Sequence, residues 1–487
     1  MTGGKKEPAA VKLPFETGEY LCTWDVPDGS GGTLEVSGLL TVEPGKYPNG
    51  MLYGQMPIQW QDLGKGQRSA GFPQTHRFDT LVGRLSTGAY VALMNGELSY
   101  WFETQGRALG ALAVLSQDKF DATAHRAYTS VEIQIEGLEA VAGVAPISST
   151  KHPVTKDAER TWAATLNDEA KFDWESEGYK MSFGYNGSFR SFDAYEFRMV
   201  FGPVLSITSE KPLTIVEWWL NWVRPLRQLI SLVTNAPREI RYLVAANGDD
   251  PICTHRDQVF GWDITHQPIN STRAAIEETH SSIDLKDGEL SLLDLLIKWQ
   301  EFATSHHPLI ETYGSMATAK EQHPRARFLL LLQALEGLHG FENKTKHEKT
   351  REKHSEARTA FIDRAAKLLS SEDMIFLDKY LMKAPPQGLE QALIAIFKSL
   401  PVDVVPELEK TKLVAQMRSE HQGRGKLRVE AALVRARNAL SHGSSSFEPD
   451  ALEETAKVLD RVVRSEAIRL LGAPTTARER ALKKPDR

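Results

Sequence analysis

The sequence is poor in the features that mark several large classes of protein. It has two cysteines in 487 residues, Cys22 and Cys253, and they lie 231 positions apart. It therefore lacks both the paired spacing of zinc sites and the cysteine density of a disulfide framework, which suits a reducing compartment. The N-terminus carries lysines without an apolar stretch behind them, so a secretory signal peptide is not expected. We predict a cytoplasmic protein.

Long uncharged hydrophobic runs and a surplus of positive charge are also missing. The most apolar stretches are 328–335, which is too short to span a bilayer, and 214–233, which contains Glu217, Arg224 and Arg227. The formal net charge is −6, with 41% hydrophobic and 25% charged residues, as in ordinary globular proteins. We predict no membrane span, and a polyanionic partner would have to bind a local patch.

The common catalytic signatures are absent too. The chain contains no P-loop, no dinucleotide-binding glycine pattern, no HExxH zinc motif and no GxSxG nucleophile motif. His347 and His354 could share a helix face, but their charged surroundings favour a solvated helix or loop over a metal site. His306 and His307, just before Pro308, are typical of a helix end. We predict no metal and no cofactor.

Length and patterning indicate an α+β multidomain protein. The N-terminal half has short β-branched and aromatic stretches separated by turn residues, which predicts a β-rich, sandwich-like region. The C-terminal part has apolar residues at helical spacing, which predicts an all-helical bundle. The predicted segments are a β-rich domain at 1–150, a second β-rich region at 151–288, a helical bundle at 289–472 and a flexible tail at 473–487.

One amphipathic helix is predicted inside the second β-rich region, near 213–233. Pro225 should kink or split it, because proline lacks the backbone N–H and clashes with the preceding turn. Trp218, Trp219 and Trp222 on this helix could form a stacking surface, but their spacing favours a place in the core or at a domain interface.

A polar cluster ends one of the predicted bundle helices, in the segment RARNALSHG at 435–443. Gly443 is suited to stop the helix, because glycine readily adopts the left-handed conformation that follows the last turn. Arg437 and His442 form the single Arg-x4-His pair of the chain. With 30 arginines and 14 histidines in 487 residues, about one such pair is expected by chance. The spacing alone therefore assigns no function.

Helical geometry nevertheless gathers these side chains at one helix end. Arg435, Asn438 and His442 share a face, and Arg437 lies about 100° round the helix from Asn438, where it should still reach His442. A purely structural explanation is open, because cations at a helix C-terminus gain about 0.3–1 kcal/mol each from the helix dipole.

A helical bundle with Arg-Asn-x-x-x-His near the end of one helix resembles the HEPN superfamily, whose hallmark is Arg-x4-6-His with a polar residue after the arginine. Arg437, Asn438 and His442 match this hallmark. Arg435 with His442 gives the permitted Arg-x6-His, so either arginine could be the catalytic one. The upstream segment RFLLLLQALEGLHGF, with Glu336 in its middle, looks like the opening HEPN helix. The order of a β-rich region and this bundle is similar to that of ApeA-type bacterial anti-phage proteins.

The HEPN resemblance implies a metal-independent endoribonuclease. RNA cleavage without a metal uses the neighbouring 2′-hydroxyl as nucleophile, and His442 would act as acid or base. Arg437 would stabilise the phosphate, and Asn438 would orient the histidine or hold the substrate. Arg435 and Glu336 would contact RNA or support the site.

The resemblance also implies partners. One histidine performs one proton transfer well, and the family brings two motifs to one cleft by dimerisation, so we expect a homodimer through the C-terminal bundle. The substrate would be RNA, with transfer RNA as one candidate. A phage-derived trigger would switch on abortive infection, and the β-rich half would sense that trigger or restrain the ribonuclease.

A protein of another class fits the same sequence. It would be a non-catalytic ligand-binding or sensor protein with a helical dimerisation bundle. The net charge of −6 and the lack of a strong basic patch favour this interpretation. A metal-dependent hydrolase is not favoured, because the sequence offers no cluster of metal ligands.

Overall fold

The computed structural model divides into two compact units, Met1–Ile297 and Lys298–Arg487, and each is described by itself. The division falls close to the boundary predicted at 288. The structure describes residues 9–28, 32–58, 60–101, 105–121, 125–152, 162–190, 198–247, 256–287, 290–383, 388–421, 425–443 and 446–484.

The first unit is built mainly from antiparallel strands, whose alternating burial follows the apolar and polar alternation of the sequence. In chain order they are β1 (Gly18–Pro27), β2 (Thr33–Val42), β3 (Asn49–Tyr53), β4 (Gln61–Gly64), β5 (Gln67–Ser69), β6 (Gln74–Leu85), β7 (Tyr90–Trp101), β8 (Gln105–Leu109), β9 (Leu112–Ser116), β10 (Ala127–Ile135), β11 (Ile147–Lys151), β12 (Ala163–Leu166), β13 (Phe172–Ser176), β14 (Tyr179–Arg190), β15 (Arg198–Thr214), β16 (Ile240–Ala246) and β17 (Arg256–Gly261).

The first unit contains only a few, mostly short helices, whereas the second unit is built from helices. They are α1 (Leu138–Ala142), α2 (Ile215–Trp218), α3 (Arg224–Thr234), α4 (Arg273–Glu278), α5 (Leu292–Thr304), α6 (Pro308–Ala317), α7 (Pro324–Glu342), α8 (Lys344–Ala365), α9 (Ser371–Tyr380), α10 (Leu389–Ser399), α11 (Val405–Leu408), α12 (Lys412–Ser419), α13 (Val429–His442), α14 (Pro449–Leu470) and α15 (Thr475–Leu482). The predicted fold class, a β-rich N-terminal half followed by an all-helical C-terminal part, is confirmed.

Part of the N-terminal sheet closes into a barrel. The strand order β7-β6-β1-β2-β3-β8 returns to its start, because β8 also pairs with β7. Strand β7 is long enough to pair twice along one edge, with β9 through Tyr90–Met94 and with β8 through Glu97–Trp101. The sheet continues beyond β9 through β17, β16, β10, β15 and β14 to β13. The predicted sandwich-like arrangement is thus corrected to a barrel with extra strands. A sandwich and a barrel each bury one face of every strand, so both give the same alternation of apolar and polar residues in the sequence.

The barrel core is organised around Trp24, which is fully buried. A Cβ atom at Gly50 would lie 2.7 Å from the Trp24 ring, so glycine is required there for the strand to pass the indole. Cys22 is also buried, and burial raises the pKa of its thiol to about 12, which keeps it protonated and unreactive. Cys253 lies outside the described residues.

The predicted amphipathic helix is present, with an irregularity at its middle. A π-helical turn at Trp219–Val223 joins α2 to α3, and Pro225 follows in the first turn of α3. Trp218 and Trp222 are buried, and Trp218 Nε1 donates a hydrogen bond to the Tyr128 carbonyl (3.1 Å). The interpretation as core residues is confirmed for Trp218 and Trp222, whereas Trp219 is half-buried.

The helical unit is arranged around α14, which is buried on most sides and packs against α7 and α15. Helix α15 occupies part of the segment 473–487, for which the sequence predicted a flexible tail. It packs because Arg461 and Arg464, both on α14, donate hydrogen bonds to the carbonyls of Leu482 (2.8 Å) and Ala481 (3.4 Å). These arginines satisfy carbonyls that a helix end otherwise leaves without partners.

The remaining histidine interpretations can be compared with the structure. His307 is the N-cap residue of α6, as the predicted helix end requires. His347 and His354 lie on α8, which is highly charged and almost entirely exposed. Within the described ranges, no three histidine, cysteine or acidic side chains are grouped as metal ligands. In the same ranges no helix combines the length and apolarity needed to cross a bilayer.

His266 gives the first unit a testable dependence on pH. Its ring stacks on Phe260 (centroids 3.9 Å apart), and Gln258 donates to its Nδ1 (3.3 Å). Its Nε2 is buried and has no hydrogen-bond partner among the residues that the structure describes. Burial lowers the pKa of His266 to about 3. As pH falls below about 6.5, the unfolded chain takes up a proton that the folded chain refuses, so the free energy of unfolding decreases down to about pH 3.

We therefore expect His266→Asn to flatten the pH dependence of the first unit's stability. Asparagine tolerates the left-handed backbone at this position (φ 56°). Urea unfolding from pH 7 to pH 4 measures the effect, with His125→Asn at an exposed histidine of the same unit as the control. An unchanged slope of stability against pH in His266→Asn would contradict the account.

Candidate functional site

The polar segment lies at the C-terminal end of α13, as predicted. The helix ends at Gly443, whose left-handed backbone (φ 67°, ψ 16°) turns its N–H back to the carbonyls of Ala439 and Leu440. The opposite side of the helix is buried in the bundle through Val429, Ala432, Leu433, Ala436 and Leu440. Burial of the apolar side fixes the position of α13 in the bundle, and the polar side of the helix faces solvent.

Two side chains of α7 contact this end of α13. Arg325 Nη2 donates to the Leu440 carbonyl (2.5 Å), one of the last carbonyls of the helix. A cation there gives the carbonyl a second donor beside the Gly443 N–H and is favoured by the helix dipole. Farther along α7, Glu336 Oε2 accepts a hydrogen bond from Arg437 Nη2 (3.1 Å). Helix α7 therefore holds both the backbone end and one arginine of the predicted motif.

Arg437 is held at both ends of its guanidinium. One nitrogen bonds Glu336, and the other, Nη1, donates to Asn438 Oδ1 (3.2 Å). The prediction that Arg437 reaches His442 is therefore wrong for the described structure, because its guanidinium lies against Glu336 instead. The contact orients the arginine and the amide, and it leaves the amide nitrogen of Asn438 as a donor facing solvent.

His442 is exposed at the last position of α13. Its side chain makes no hydrogen bond or ion pair with any residue that the structure describes. An exposed imidazole with both ring nitrogens free can accept or donate a proton to a bound substrate, which a buried and hydrogen-bonded ring cannot do as readily.

Arg435 has a partner that the sequence analysis missed. Its Nη1 lies 2.8 Å from His421 Nδ1, and His421 directly follows α12 and its C-cap residue. The two residues are 14 positions apart and on different elements, so no motif or helical spacing connects them. Only the packing of α12 against α13 brings them together.

The predicted site residues thus form two groups. Arg437, Asn438 and Glu336 are linked by direct hydrogen bonds, whereas Arg435 pairs with His421. His442 shares the exposed face of Arg435 and Asn438 but touches neither group among the described residues. Together they make a solvent-facing surface of two guanidinium groups, one amide, two imidazoles and the Glu336 carboxylate. The guanidinium and amide N–H groups are donors of the kind that bind phosphates.

The Glu336–Arg437 pair should orient the site more than it stabilises the fold. Both side chains are 36% exposed, and ion pairs with this exposure contribute about 0–1 kcal/mol. We expect a double-mutant cycle with Glu336→Gln and Arg437→Gln to give a coupling energy below about 1 kcal/mol in urea unfolding.

The control for this cycle is Tyr313→Phe, which removes a hydrogen bond to the buried carboxylate of Asp460 (2.8 Å). It should cost more, about 1.5–3 kcal/mol, because the acceptor is charged and buried. A coupling energy of several kcal/mol between Glu336 and Arg437 would contradict this expectation and show that the pair mainly stabilises the bundle.

Comparison with known families identifies the N-terminal region. Residues 19–252 match the family model of ApeA N-terminal domain 1. The match lies within the first unit and supports the ApeA-type resemblance for that part of the chain. It does not extend to α7 or α13. No curated protein and no solved structure matches the chain.

Proposed function

We propose, from the ApeA N-terminal domain in the first half of the chain, that the protein acts in anti-phage defence of the ApeA type and that its helical unit is a metal-independent endoribonuclease. The observation that carries the ribonuclease is the exposed end of α13. There Glu336 orients Arg437, Arg437 donates a hydrogen bond to Asn438, and the His442 imidazole is exposed.

The proposed reaction is attack of the RNA 2′-hydroxyl on the adjacent phosphorus. His442 removes the proton of that hydroxyl or protonates the departing 5′-oxygen, since imidazole exchanges protons near neutral pH. Arg437, which is always charged, stabilises the phosphate oxygens as negative charge develops. The Asn438 amide nitrogen donates to the substrate backbone. The products are a 2′,3′-cyclic phosphate and a 5′-hydroxyl.

Both an acid and a base are needed, and one imidazole supplies one proton transfer in each step. We propose that two copies of the helical unit meet so that a second His442 completes the site. The substrate class is RNA, with transfer RNA as a candidate, and the protein functions as a homodimer in abortive infection.

The first test is cleavage of total cellular RNA in EDTA by the full-length protein. We expect His442→Ala to lose roughly 10²–10⁴-fold in rate, the usual contribution of general acid–base catalysis. Arg437→Gln should also lose activity through its missing charge. His347→Ala, at a histidine on α8, is the matched control and should cleave as the wild type does.

End-group analysis of the fragments completes this test. Cyclic phosphates and 5′-hydroxyls support 2′-hydroxyl attack. Cleavage that requires Mg²⁺ and leaves 5′-phosphates would contradict the proposal, as would wild-type rates in His442→Ala.

The β-rich unit is the proposed sensor or restraint. Among the residues of this unit that the structure describes, two cavities have volumes of about 450 and 440 Å³, and Glu132 lines both. One is also lined by Lys12 and Arg256, the other by Ser206 and Asn186. Cavities of this volume, lined by mixed polar and apolar groups, suit a small ligand or part of a larger one. The activating signal is proposed to come from the phage and to be read by this unit.

Removing residues 1–285 should therefore change the growth inhibition that expression of the protein causes in uninfected cells. The same deletion carrying His442→Ala is the control, since it shows whether any inhibition depends on cleavage. Identical growth with and without the N-terminal unit would reject the regulatory role.

The same cavities favour one alternative, a non-catalytic ligand-binding protein whose helical unit only dimerises. If the His442→Ala variant protects cells from phage as well as the wild type does, this alternative is supported and the ribonuclease proposal is rejected.

A further inference from the structure

The two arginines of the motif differ in how their charge is balanced. Arg437 faces the Glu336 carboxylate at 3.1 Å, and at the neighbouring helix end Arg418 and Lys426 share the Glu409 carboxylate at 2.7 and 3.2 Å. Arg435 makes no ion pair with any described residue, and its partner is a histidine ring. The side chain is exposed, and among the described residues no carboxylate pairs with its charge.

The Arg435–His421 hydrogen bond also fixes what the pair offers to a ligand. A guanidinium can only donate, so His421 Nδ1 accepts at 2.8 Å, and the ring proton lies on Nε2. The remaining N–H groups of the Arg435 guanidinium stay available as donors, whereas the Nε2–H of the ring points away from the guanidinium. Donors combined with a net positive charge recognise an anion, and a planar guanidinium matches the oxygens of a phosphate.

The position of the pair relative to His442 indicates which phosphate. Arg435 and His442 lie on the same exposed face of α13, seven residues apart, which places their backbones roughly 10 Å from each other along the helix. A group at this distance contacts a part of the substrate next to the reacting bond, while Arg437 and Asn438 lie between the two.

We propose that Arg435 and His421 form a binding subsite for a backbone phosphate of single-stranded RNA, next to the phosphate that is cleaved. This inference rests on the proposed ribonuclease function and assigns Arg435 to substrate binding and Arg437 to the reacting phosphate. His421 acts as a positioning residue that holds the guanidinium.

Binding to a single-stranded RNA oligonucleotide tests the subsite, with full-length His442→Ala as the cleavage-deficient background. Adding Arg435→Gln should weaken binding about tenfold, as loss of a charge-assisted hydrogen bond does. It should also lower the slope of log K against log salt by about 0.7, the value for one phosphate contact on a single strand. Lys398→Gln removes an exposed charge from α10 and is the control, which should change neither quantity.

Kinetics in the His442-containing protein separate binding from catalysis. Arg435→Gln and His421→Ala should raise KM and leave kcat within about twofold, because uniform binding is lost. Arg435→Lys keeps the charge without the planar fork and should fall between wild type and Arg435→Gln. Urea unfolding of each variant excludes a general loss of structure.

The outcomes distinguish this subsite from the ribonuclease itself. If the wild type cleaves RNA but Arg435→Gln matches Lys398→Gln in affinity and salt slope, the subsite is wrong and the proposed function stands. A drop confined to kcat would place Arg435 at the reacting phosphate and also overturn the subsite. Absence of RNA binding by the background protein and of cleavage by the wild type would reject both.

Discussion

The helical unit depends on a buried carboxylate, that of Asp460 on α14. It accepts a hydrogen bond from the Tyr313 hydroxyl of α6 (2.8 Å) and lies 3.4 Å from Arg464 and 3.7 Å from Arg327 of α7. Leaving a buried charge unpaired costs about 3–5 kcal/mol, so these groups constrain one another. They fix α6 and α7 on α14, and α7 carries Glu336 toward α13.

The exposed end of α13 differs from one arginine to the next in how its charge is balanced. Glu336 neutralises and orients Arg437, whereas Arg435 keeps its charge beside a neutral imidazole. The Arg437 guanidinium is thereby fixed in position, and the Arg435 guanidinium remains available to bind an anion. The arrangement would let a chain with net charge −6 bind RNA locally, because Arg435 offers a cation without an ion-pair partner among the described residues.

The sequence predicted the elements whose patterning is local. The strand-rich half, the bundle helices and the Gly443 stop follow from alternation, helical period and glycine chemistry. The barrel was missed because closure depends on the second pairing of β7 with β8, which alternation does not encode. Helix α15 was missed because its packing depends on Arg461 and Arg464 of α14, and the Arg435–His421 contact was missed because it joins separate elements.

The central claim is that the end of α13 cleaves RNA by using the substrate's own 2′-hydroxyl. The most direct measurement compares an RNA oligonucleotide that the wild-type protein cleaves in EDTA with the same strand carrying one 2′-deoxy nucleotide on the 5′ side of the cleaved bond. The account predicts that cleavage at this bond is lost while binding affinity and cleavage at other bonds remain. Continued cleavage of the deoxy-substituted bond would show that water or a metal-bound hydroxide is the nucleophile and would contradict the account.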